Sequence, residues 1–316
     1  MKRTVRSLAL FLSLFLLLAS LSGCLQLDPY APSKTFTDPS ATSASSPGTS
    51  APLPSGSFLE VHFIDVGQAD AALIVCDGKT MLIDGGNKAD SDLIYTYLKN
   101  RAVTHLDYVI CTHAHEDHVG GLSGALSYVK TVGVVMSPVT SYDSKAFENF
   151  AQKVADHGKS LTVPTSGDLF SLGSATVTVL GPIKAYDDPN NTSIVLRVVY
   201  GKTSFLFTGD MEYTAEQDLL DAGVSLKSTV LKVGHHGSDT STSYRFLREV
   251  APTYAVISVG AGNSYGHPTE TVLSRLRDAD VTLFRTDLQG DILCTSNGES
   301  VTFAPSRNAN AVTNPT

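Results

Sequence analysis

The 316-residue chain contains no tryptophan and has fewer basic than acidic residues. The absence of tryptophan mildly disfavours a carbohydrate-binding platform, because such surfaces are built from large aromatic rings. The 23 Lys and Arg residues face 31 Asp and Glu residues, which gives a formal net charge of −8. An acidic chain gains little from the counterion release that drives binding to DNA. Any nucleic-acid substrate would therefore have to be held locally, mainly through metal.

Cysteine is too sparse for a disulfide framework. Beyond Cys24 the chain has only Cys76, Cys111 and Cys294, each within an apolar run and without a CxxC pair. Cysteines in such surroundings behave as small buried hydrophobes, and three is an odd number for pairing. We therefore predict three buried free thiols and no cysteine-based metal site.

A long apolar run occurs at the N-terminus. Basic residues at positions 2, 3 and 6 precede Leu8–Leu18, and Leu-Ser-Gly-Cys24 follows. The run is shorter than the roughly 20 residues that a membrane span needs. The segment resembles a bacterial lipoprotein signal, which implies a signal peptide over 1–23 and lipidation of Cys24; an uncleaved membrane anchor is the alternative. Without the three basic residues, 20 Lys and Arg face 31 acids, a charge of about −11.

Composition also separates a folded part from two ends. Residues 25–57 are rich in Ser, Thr, Pro and Ala, and such a stretch cannot bury enough apolar surface to order itself. We therefore predict a lipidated Cys24 with a disordered tether over 24–57, extending about 3 Å per residue where it is Pro-rich. A folded domain is predicted over 58–304 and a disordered tail over 305–316. The predicted location is the extracytoplasmic face of the cell membrane.

Between these ends, strand-like and helix-like patterns alternate. FLEVHFID, AALIVCD and TMLID favour consecutive strands, with a hairpin turn at Gly78-Lys79, and SDLIYTYLKNR has the apolar spacing of a helix. Two strand-rich blocks, each followed by strand–helix alternation, indicate two similar halves. Two sheets packed face to face with helices outside would bury both sets of strands, which predicts an α/β fold.

The strongest chemical signal is HAHEDH at 113–118, directly after the strand-like DYVICT. Three of the nine histidines fall within this hexapeptide. A loop there can aim His113 and His115 the same way, while Asp117 and His118 reach a second centre. Imidazole and carboxylate are the usual ligands of zinc-like metals. The spacing differs from the HExxH helix of metalloproteases, because the two histidines around the glutamate are one residue too close.

THAHEDHVGG resembles the HxHxDH signature of the metallo-β-lactamase superfamily. Other segments extend the resemblance to the metallo-hydrolase domain of ComEC-type competence proteins, across about residues 58–304. It implies the αββα four-layer sandwich of the metallo-β-lactamase fold and two divalent metal ions, Zn²⁺ or Mn²⁺. The segments are DVGQADA (65–71), IDGG (83–86), NNTSIVLRV (190–198), FLFTGD (205–210), LKVGHHGS (231–238) and NSYGHP (263–268).

The resemblance implies a metal-bridging role for Asp210, at the end of the apolar strand SFLFTGD. It also makes one of His235 and His236 a second-site ligand. We favour His235, which leaves His236 for the substrate because adjacent histidines usually face apart. Asp84 ends a buried strand and can orient the imidazoles of the HxHxDH loop; an ordinary Asp-Gly turn is the alternative. The predicted metal ligands are His113, His115, Asp117, His118, Asp210 and His235.

One departure from the superfamily pattern concerns the first metal site. Many members add a third histidine after the middle strands, whereas this chain has Asn190-Asn191-Thr192-Ser193. Poorer nitrogen ligation makes Mn²⁺ a credible occupant, since harder oxygen ligands suit manganese. Asn191 is a candidate weak ligand or substrate contact.

Three further positions complete the predicted site. His267, in YGHP, is a candidate for stabilising a developing oxyanion or protonating a leaving group, with a helix-capping turn as the alternative. Ser238 is a candidate phosphate contact or an ordinary loop serine, and Asp117 can orient the attacking water. The resemblance puts Asp65, Gln68 and Asp70 at the cleft mouth without a specified role. Three isolated histidines, His62, His105 and His157, are expected to be structural or on the surface.

Together these patterns predict an exported, metal-dependent phosphodiesterase or nuclease that acts on DNA at the cell surface, with single-stranded DNA as a candidate substrate. The membrane is contacted through the lipid anchor, and no obligate protein partner is inferred. A cell-wall phosphodiesterase acting on teichoic-acid or phosphorylcholine esters is a second hypothesis. A metal- or solute-binding lipoprotein without turnover is a third, although a binder would tend to close its coordination sphere.

Overall fold

Runs of β-branched and aromatic residues between turn residues make short strands the main element of this chain. The computed structural model describes residues 56–315. The predicted signal peptide, the lipidation site Cys24 and nearly all of the predicted tether lie outside the described residues. The strands are β1 (Leu59–Phe63), β2 (Ala72–Cys76), β3 (Lys79–Ile83), β4 (His105–Ile110), β5 (Thr131–Met136), β6 (Leu161–Thr162), β7 (Leu169–Leu172), β8 (Ala175–Gly181), β9 (Val195–Tyr200), β10 (Thr203–Phe207), β11 (Val230–Lys232), β12 (Tyr254–Ile257), β13 (Thr282–Arg285), β14 (Ile292–Ser296) and β15 (Val301–Pro305).

Helices lie between the strands wherever apolar residues recur at three- and four-residue spacing. Side-chain caps fix several starts: Ser144, Ser243 and Thr269 each accept a hydrogen bond from the backbone N–H three residues on, which satisfies a donor that the first turn leaves unpaired. The helices are α1 (Ser91–Asn100), α2 (Glu116–Val119), α3 (Leu122–Tyr128), α4 (Lys145–Asp156), α5 (Tyr213–Asp221), α6 (Tyr244–Val250), α7 (Glu270–Asp278) and α8 (Thr286–Gln289).

The strands form two sheets, each with an antiparallel and a parallel part. The first has the order β15-β14-β1-β2-β3-β4-β5-β6, and pairing changes from antiparallel to parallel at β3. The second has the order β13-β12-β11-β10-β9-β8-β7, and pairing becomes parallel between β10 and β11. The prediction of two halves holds with one correction: β14, near the end of the chain, pairs with β1 in the first sheet.

Three apolar clusters hold four layers together. The central cluster joins the facing surfaces of both sheets, with Phe63 stacked on Phe207 at 6.0 Å between ring centroids. A second cluster packs the first sheet against α1, α3 and α4, and a third packs the other sheet against α5, α6 and α7. Each fully buried large apolar side chain contributes about 1.5–3 kcal/mol. This is the αββα sandwich that the sequence predicts.

The β2–β3 hairpin also follows its prediction, with the turn one residue earlier at Asp77-Gly78. Both residues have positive φ, 50° and 77°, as a two-residue turn between twisted strands requires. Cys76, Cys111 and Cys294 are buried free thiols, as predicted. Within residues 56–315, no helix is both long enough and apolar enough to cross a membrane.

The C-terminal segment differs from its prediction as a disordered tail. Position 305 ends β15, and residues 306–315 bond to the folded domain. The Ser306 N–H donates to the Asp291 carbonyl at 2.7 Å, the Thr313 hydroxyl to the Leu283 carbonyl at 2.7 Å, and Arg307 pairs with Asp65 at 2.9 Å. Polar composition suggested disorder, but these polar groups find partners on the domain.

Candidate metal centre

The chemistry-bearing side chains follow the carboxyl ends of neighbouring parallel strands. Asp84 follows β3 and His113 follows β4, while Asp210 and His236 follow β10 and β11 in the other sheet. Because the carboxyl ends of parallel strands meet at one edge, each sheet brings its two groups together. The packed sheets then bring the two edges into one site.

A very close backbone approach positions the HxHxDH loop on the β3 end. A Cβ on Gly121 would lie 1.8 Å from the Gly85 carbonyl oxygen, and a Cβ on Gly85 would lie 2.4 Å from the Leu122 nitrogen. The Gly85 N–H donates to the His118 carbonyl at 2.8 Å. Only glycine allows this packing. Gly85 and Gly121 therefore allow α2 and α3 to pack beside Asp84.

Asp210 lies at the centre of the imidazoles. It is 2% exposed, and its backbone N–H donates to Ser193 Oγ at 3.0 Å. Burial opposes its ionisation, but the surrounding histidines, His118 first, outweigh burial and hold the pKa of Asp210 well below its usual range. The carboxylate oxygens lie 3.2 Å from His118 Nε2, 3.6 Å from His236 Nε2, 3.7 Å from His235 Nε2 and 3.9 Å from His113 Nε2.

One ring nitrogen of His118 contacts the Asp84 side chain, and the other points into the centre. Its Nδ1 lies 2.8 Å from Asp84 Oδ2. Asp84 also accepts from the Thr112 N–H at 2.8 Å and the Thr112 hydroxyl at 2.7 Å, so it is firmly held. Burial disfavours the His118 cation, but the carboxylates of Asp210, Asp84 and Asp117 outweigh burial and raise the pKa of His118 well above its ordinary value. Asp84 therefore has the orienting position predicted for it.

His236 follows the same arrangement. Its Nδ1 lies 3.0 Å from the Ser258 carbonyl oxygen and its Nε2 lies 3.3 Å from Asp117 Oδ2. Burial disfavours the His236 cation, but Asp210 and Asp70 outweigh burial and raise the pKa of His236 to about 10. Burial likewise opposes ionisation of Asp117, yet His118 and His236 lower its pKa to about 2. The carboxylates of this cluster therefore favour positive charge on the His118 and His236 imidazoles.

The structure corrects the preference for His235 over His236. His236 is 1% exposed and groups with Asp117, His118 and Asp210, whose ligand atoms all lie within 4.8 Å of one another. The His235 side chain is 22% exposed, and its Nδ1 lies 3.3 Å from Glu212 Oε1. The two histidines do face apart, as expected, but the buried one is His236.

His113 and His115 form the other side of the centre. His113 Nε2 lies 3.0 Å from His115 Nδ1 and 3.9 Å from Asp210 Oδ2. The His113 ring is fully buried, and this burial lowers its pKa well below the ordinary value. A neutral imidazole has the nitrogen lone pair that a metal ligand needs.

Unpartnered atoms test whether these residues fit a divalent cation. His118 Nε2 and Asp210 Oδ1 are buried and lie 3.2 Å apart, yet neither forms a hydrogen bond within the part of the chain that the structure describes, although buried polar atoms nearly always have a partner. Both atoms belong to the group of two imidazoles and two carboxylates, a donor set suited to zinc-like metals. The residues therefore fit a divalent cation.

Asp70 and Lys232 form a buried ion pair that sequence reasoning missed. Lys232 Nζ lies 2.8 Å from Asp70 Oδ2, and Asp70 Oδ1 lies 3.3 Å from His236 Nδ1. Asp70 is 5% exposed, which corrects its expected place at the cleft mouth. Burial opposes ionisation, but Lys232 and His236 hold the pKa of Asp70 well below its usual range. The sequence signal for this ion pair was a lysine within the apolar strand STVLKV.

Asn191 and Ser238, the predicted substrate contacts, form hydrogen bonds within the chain. Both are buried. The Asn191 amide oxygen accepts from the Glu212 N–H at 3.1 Å and the Ala215 N–H at 3.3 Å, so it holds the start of α5. The Ser238 hydroxyl lies 3.0 Å from Thr240 Oγ1 and closes its own turn. In each case the polar group forms hydrogen bonds at a turn or helix start. The sequence alone could not exclude this alternative.

His267 lies beside His235 at the rim of the centre. Its ring centroid is 5.7 Å from that of His235, and the exposed Tyr265 ring stacks beside it, also at 5.7 Å. Partial burial, then His235 and His236, lower the pKa of His267. Of the residues expected at the cleft mouth, Gln68 contacts His267, whereas Asp65 pairs with Arg307.

The three isolated histidines are structural or surface groups, as expected. His62 Nδ1 lies 3.2 Å from the Tyr97 hydroxyl, and His157 Nε2 lies 2.7 Å from the Leu126 carbonyl oxygen. His105, half exposed, lies 3.2 Å from Asp107 Oδ1. These contacts fix local structure away from the centre.

Comparison with known proteins gives consistent matches. The sequence profile of the metallo-beta-lactamase superfamily matches residues 64–261. ComE operon protein 3 of Bacillus subtilis (strain 168) is 31% identical over 254 residues, covering 74% of this chain and 32% of that protein. Competence protein ComA of Neisseria gonorrhoeae is 34% identical over 229 residues, covering 72% of this chain and 30% of that protein. The chain thus spans about a third of the length of these relatives.

Among solved structures, the metallo-beta-lactamase fold protein YhfI from Bacillus subtilis aligns with a TM-score of 0.49 at 15% sequence identity. The alignment covers 78% of this chain and 100% of that chain.

Proposed function

The chain belongs to the metallo-β-lactamase superfamily of metallo-hydrolases, and on this premise we propose that it hydrolyses phosphodiester bonds in DNA outside the cytoplasm. The carrying observation is the position of Asp210, because both of its carboxylate oxygens face imidazoles. Its Oδ1 lies 3.2 Å from His118 Nε2, and its Oδ2 lies 3.6 Å from His236 Nε2 and 3.9 Å from His113 Nε2. A carboxylate with imidazoles at both oxygens suits the bridge between two cations, because a bridging anion offsets their mutual repulsion.

The proposed cofactors are two divalent metal ions, Zn²⁺ or Mn²⁺. Asp210 would contribute to both sites. The absence of a histidine from positions 190–193 favours Mn²⁺ at the His113 site, since harder oxygen ligands suit manganese. When bound, such ions lower the pKa of an attacking water and neutralise charge on the phosphoryl oxygens. The first site would use His113 and His115, and the second Asp117, His118 and His236.

The chain's own residues would orient the reactants. Asp117 is partly exposed, with its side chain 31% accessible, and its Oδ2 faces His236 Nε2 at 3.3 Å. It is therefore suited to accept a hydrogen bond from the attacking water. His267 at the rim would donate a hydrogen bond to the leaving oxygen. Asp84 and the Ser258 carbonyl orient the His118 and His236 rings, which is how ligand imidazoles are normally held.

DNA as the substrate is supported by the names of the relatives. ComA is a competence protein by name, and this chain shares the whole arrangement of motifs with the competence-type hydrolase domain. The lipoprotein-like N-terminus supports an extracytoplasmic location with Cys24 as the lipidation site. The net charge of −8 implies that the backbone phosphates would be held mainly at the metal centre.

The direct test is hydrolysis by the purified full chain after removal of metal and reconstitution with Mn²⁺ or Zn²⁺. End-labelled single-stranded and double-stranded DNA are the substrates, with bis-p-nitrophenyl phosphate as a general phosphodiester. We expect metal-dependent cleavage of DNA, lost in Asp210→Asn. The matched control is Asp221→Asn, the same change at a side chain that is 63% exposed, which should retain full activity.

The outcomes separate the hypotheses. Cleavage of the general phosphodiester without cleavage of DNA would contradict the nuclease proposal and favour another phosphodiester, such as a cell-wall ester. Stoichiometric metal binding by a folded chain that cleaves neither substrate would contradict hydrolysis and favour a binding protein.

A further inference from the structure

Gln68 has a fixed amide orientation, because one of its partners can only donate. The Gly260 N–H donates to Gln68 Oε1 at 3.2 Å. A backbone N–H has no acceptor capacity, so the oxygen of the amide must face Gly260 and the NH₂ group must face the other way. That NH₂ group lies 3.5 Å from His267 Nδ1.

The consequence for His267 concerns its tautomer. An imidazole nitrogen that faces an amide NH₂ must present its lone pair there, since two donors cannot bond to each other. A neutral imidazole with a bare Nδ1 has its proton on Nε2. The contact with Gln68 therefore makes Nε2–H a hydrogen-bond donor at the rim of the metal centre.

Asn263 keeps the two partners of Gln68 in a fixed relationship. Its NH₂ group donates to the Gly260 carbonyl at 2.9 Å and to the His267 carbonyl at 2.6 Å. Its amide oxygen accepts from the His267 N–H at 3.0 Å. One side chain therefore spans the loop from position 260 to 267.

The backbones on either side of this contact also touch. A Cβ on Gly260 would lie 2.6 Å from the Gln68 nitrogen, and the Asn87 NH₂ group donates to the Gln68 carbonyl at 3.4 Å. Gln68 thus joins the loop after β1 to the loop after β12.

We propose that Gln68 is a positioning residue that keeps His267 in the neutral Nε2–H tautomer, so that His267 acts as a hydrogen-bond donor to an oxygen of the substrate. The catalytic consequence rests on the proposed function, whereas the tautomer depends on this chain alone. Gln68 acts through His267 and need not touch the substrate. The donor would oppose negative charge that develops on the phosphoryl or leaving oxygen.

The decisive variant is Gln68→Glu, which keeps the size of the side chain and replaces the NH₂ donor by an acceptor. The carboxylate still accepts from Gly260, and at a pH high enough to keep His267 neutral its second oxygen requires an Nδ1–H on His267, which leaves Nε2 without a proton. The tautomer is read from ¹⁵N NMR of the full chain labelled at histidine and loaded with Zn²⁺. The His267 signals are assigned as those missing from His267→Gln.

We expect a protonated Nε2 and a bare Nδ1 in the parent chain, and Nδ1 protonated in Gln68→Glu. Gln152→Glu, the same change at an exposed position of α4, should leave the His267 signals unchanged. For phosphodiester cleavage, Gln68→Glu should lower kcat by about tenfold or more with little change in KM. Gln68→Met, which has neither donor nor acceptor, should lower kcat without inverting the tautomer.

A protonated Nδ1 in the parent chain, or the same tautomer in the parent and in Gln68→Glu, would overturn the proposal. The tautomer can be inverted as expected while no phosphodiester is cleaved by the parent chain. In that case the positioning role of Gln68 stands and the proposed function fails. Unchanged kcat in Gln68→Glu with an inverted tautomer would overturn the donor role of His267.

Discussion

Two consecutive residues with left-handed backbone decide which histidine reaches the metal centre. His235 has φ 49° and ψ 48°, and His236 has φ 52° and ψ 20°. Such conformations cost non-glycine residues of order 1–3 kcal/mol each and persist where the surroundings enforce them. The turn directs His236 into the buried cluster and leaves His235 beside Glu212. A sequence with two adjacent histidines contains no information about this turn, so the choice could not be predicted.

His236→Ala and His235→Ala should therefore differ. His236→Ala removes an imidazole from the buried group, and we expect metal affinity at one site to fall by about 100-fold or more. His235→Ala should lower it by less than about tenfold. Calorimetric titration of the metal-free chain with Zn²⁺ measures both. A larger loss in His235→Ala would restore His235 as the ligand.

The buried pair of Lys232 and Asp70 gives a prediction about stability. Lys232→Met leaves the Asp70 carboxylate buried without its cation, which should lower the free energy of unfolding by about 3–5 kcal/mol. The double variant Asp70→Asn with Lys232→Met should recover most of this loss, because no charge is then uncompensated. Denaturant unfolding of the metal-free proteins measures the difference. Equal stability of the single and double variants would argue against an ion pair.

At the scale of elements, strand ends and helix starts determine the site. Periodicity predicts β1–β6, β8–β15, α1 and α4–α7, because their apolar faces are regular. It missed α3, whose sequence LSGALSY contains a glycine and follows two others. It also missed the short β7, because its four residues show no clear strand pattern of their own. This strand is held by its pairing with β8. Glycines in α3 reflect close packing: a Cβ on Gly124 would lie 2.0 Å from the Ser91 carbonyl oxygen.

The contact of Gly121 with Gly85 can be tested by one methyl group. In Gly121→Ala the new Cβ would lie 1.8 Å from the Gly85 carbonyl oxygen. We expect α2 and α3 to shift from Asp84, with metal affinity lower by about tenfold and stability lower by about 1–3 kcal/mol.

Gly181→Ala is the matched control, since its Cβ would meet side-chain atoms rather than backbone, of Val195 at 3.2 Å and of Leu219 at 3.7 Å. This variant should bind metal as the parent chain does. Metal binding by Gly121→Ala at parental affinity would show that the glycine contact does not position the HxHxDH loop.

At the scale of the whole molecule, the site depends on contacts between distant parts of the chain. The family and the four-layer fold were predicted correctly, because the HxHxDH motif and the alternation of strands and helices are visible in the sequence. The return of β14 to β1 was not predicted, since strand pairing across more than 200 residues leaves no local pattern. For the same reason the Asp70–Lys232 pair was missed, whereas HxHxDH was found because its ligands are contiguous.

The lipid anchor is a prediction about the whole chain, and it concerns residues outside those described. In a bacterial host, the chain with its own N-terminus should incorporate labelled fatty acid and remain in the membrane fraction. Cys24→Ala should lose the label and leave that fraction. An equally labelled Cys24→Ala variant, or an unlabelled parent chain, would contradict lipidation at this residue.

Anomalous diffraction from crystals of the chain grown with Mn²⁺ tests the metal centre most directly. We expect two peaks about 3.5–4 Å apart, on either side of the Asp210 carboxylate. One peak should contact His113 and His115, and the other Asp117, His118 and His236. A folded chain with no peak at Asp210, or with manganese bound only elsewhere, would contradict the account.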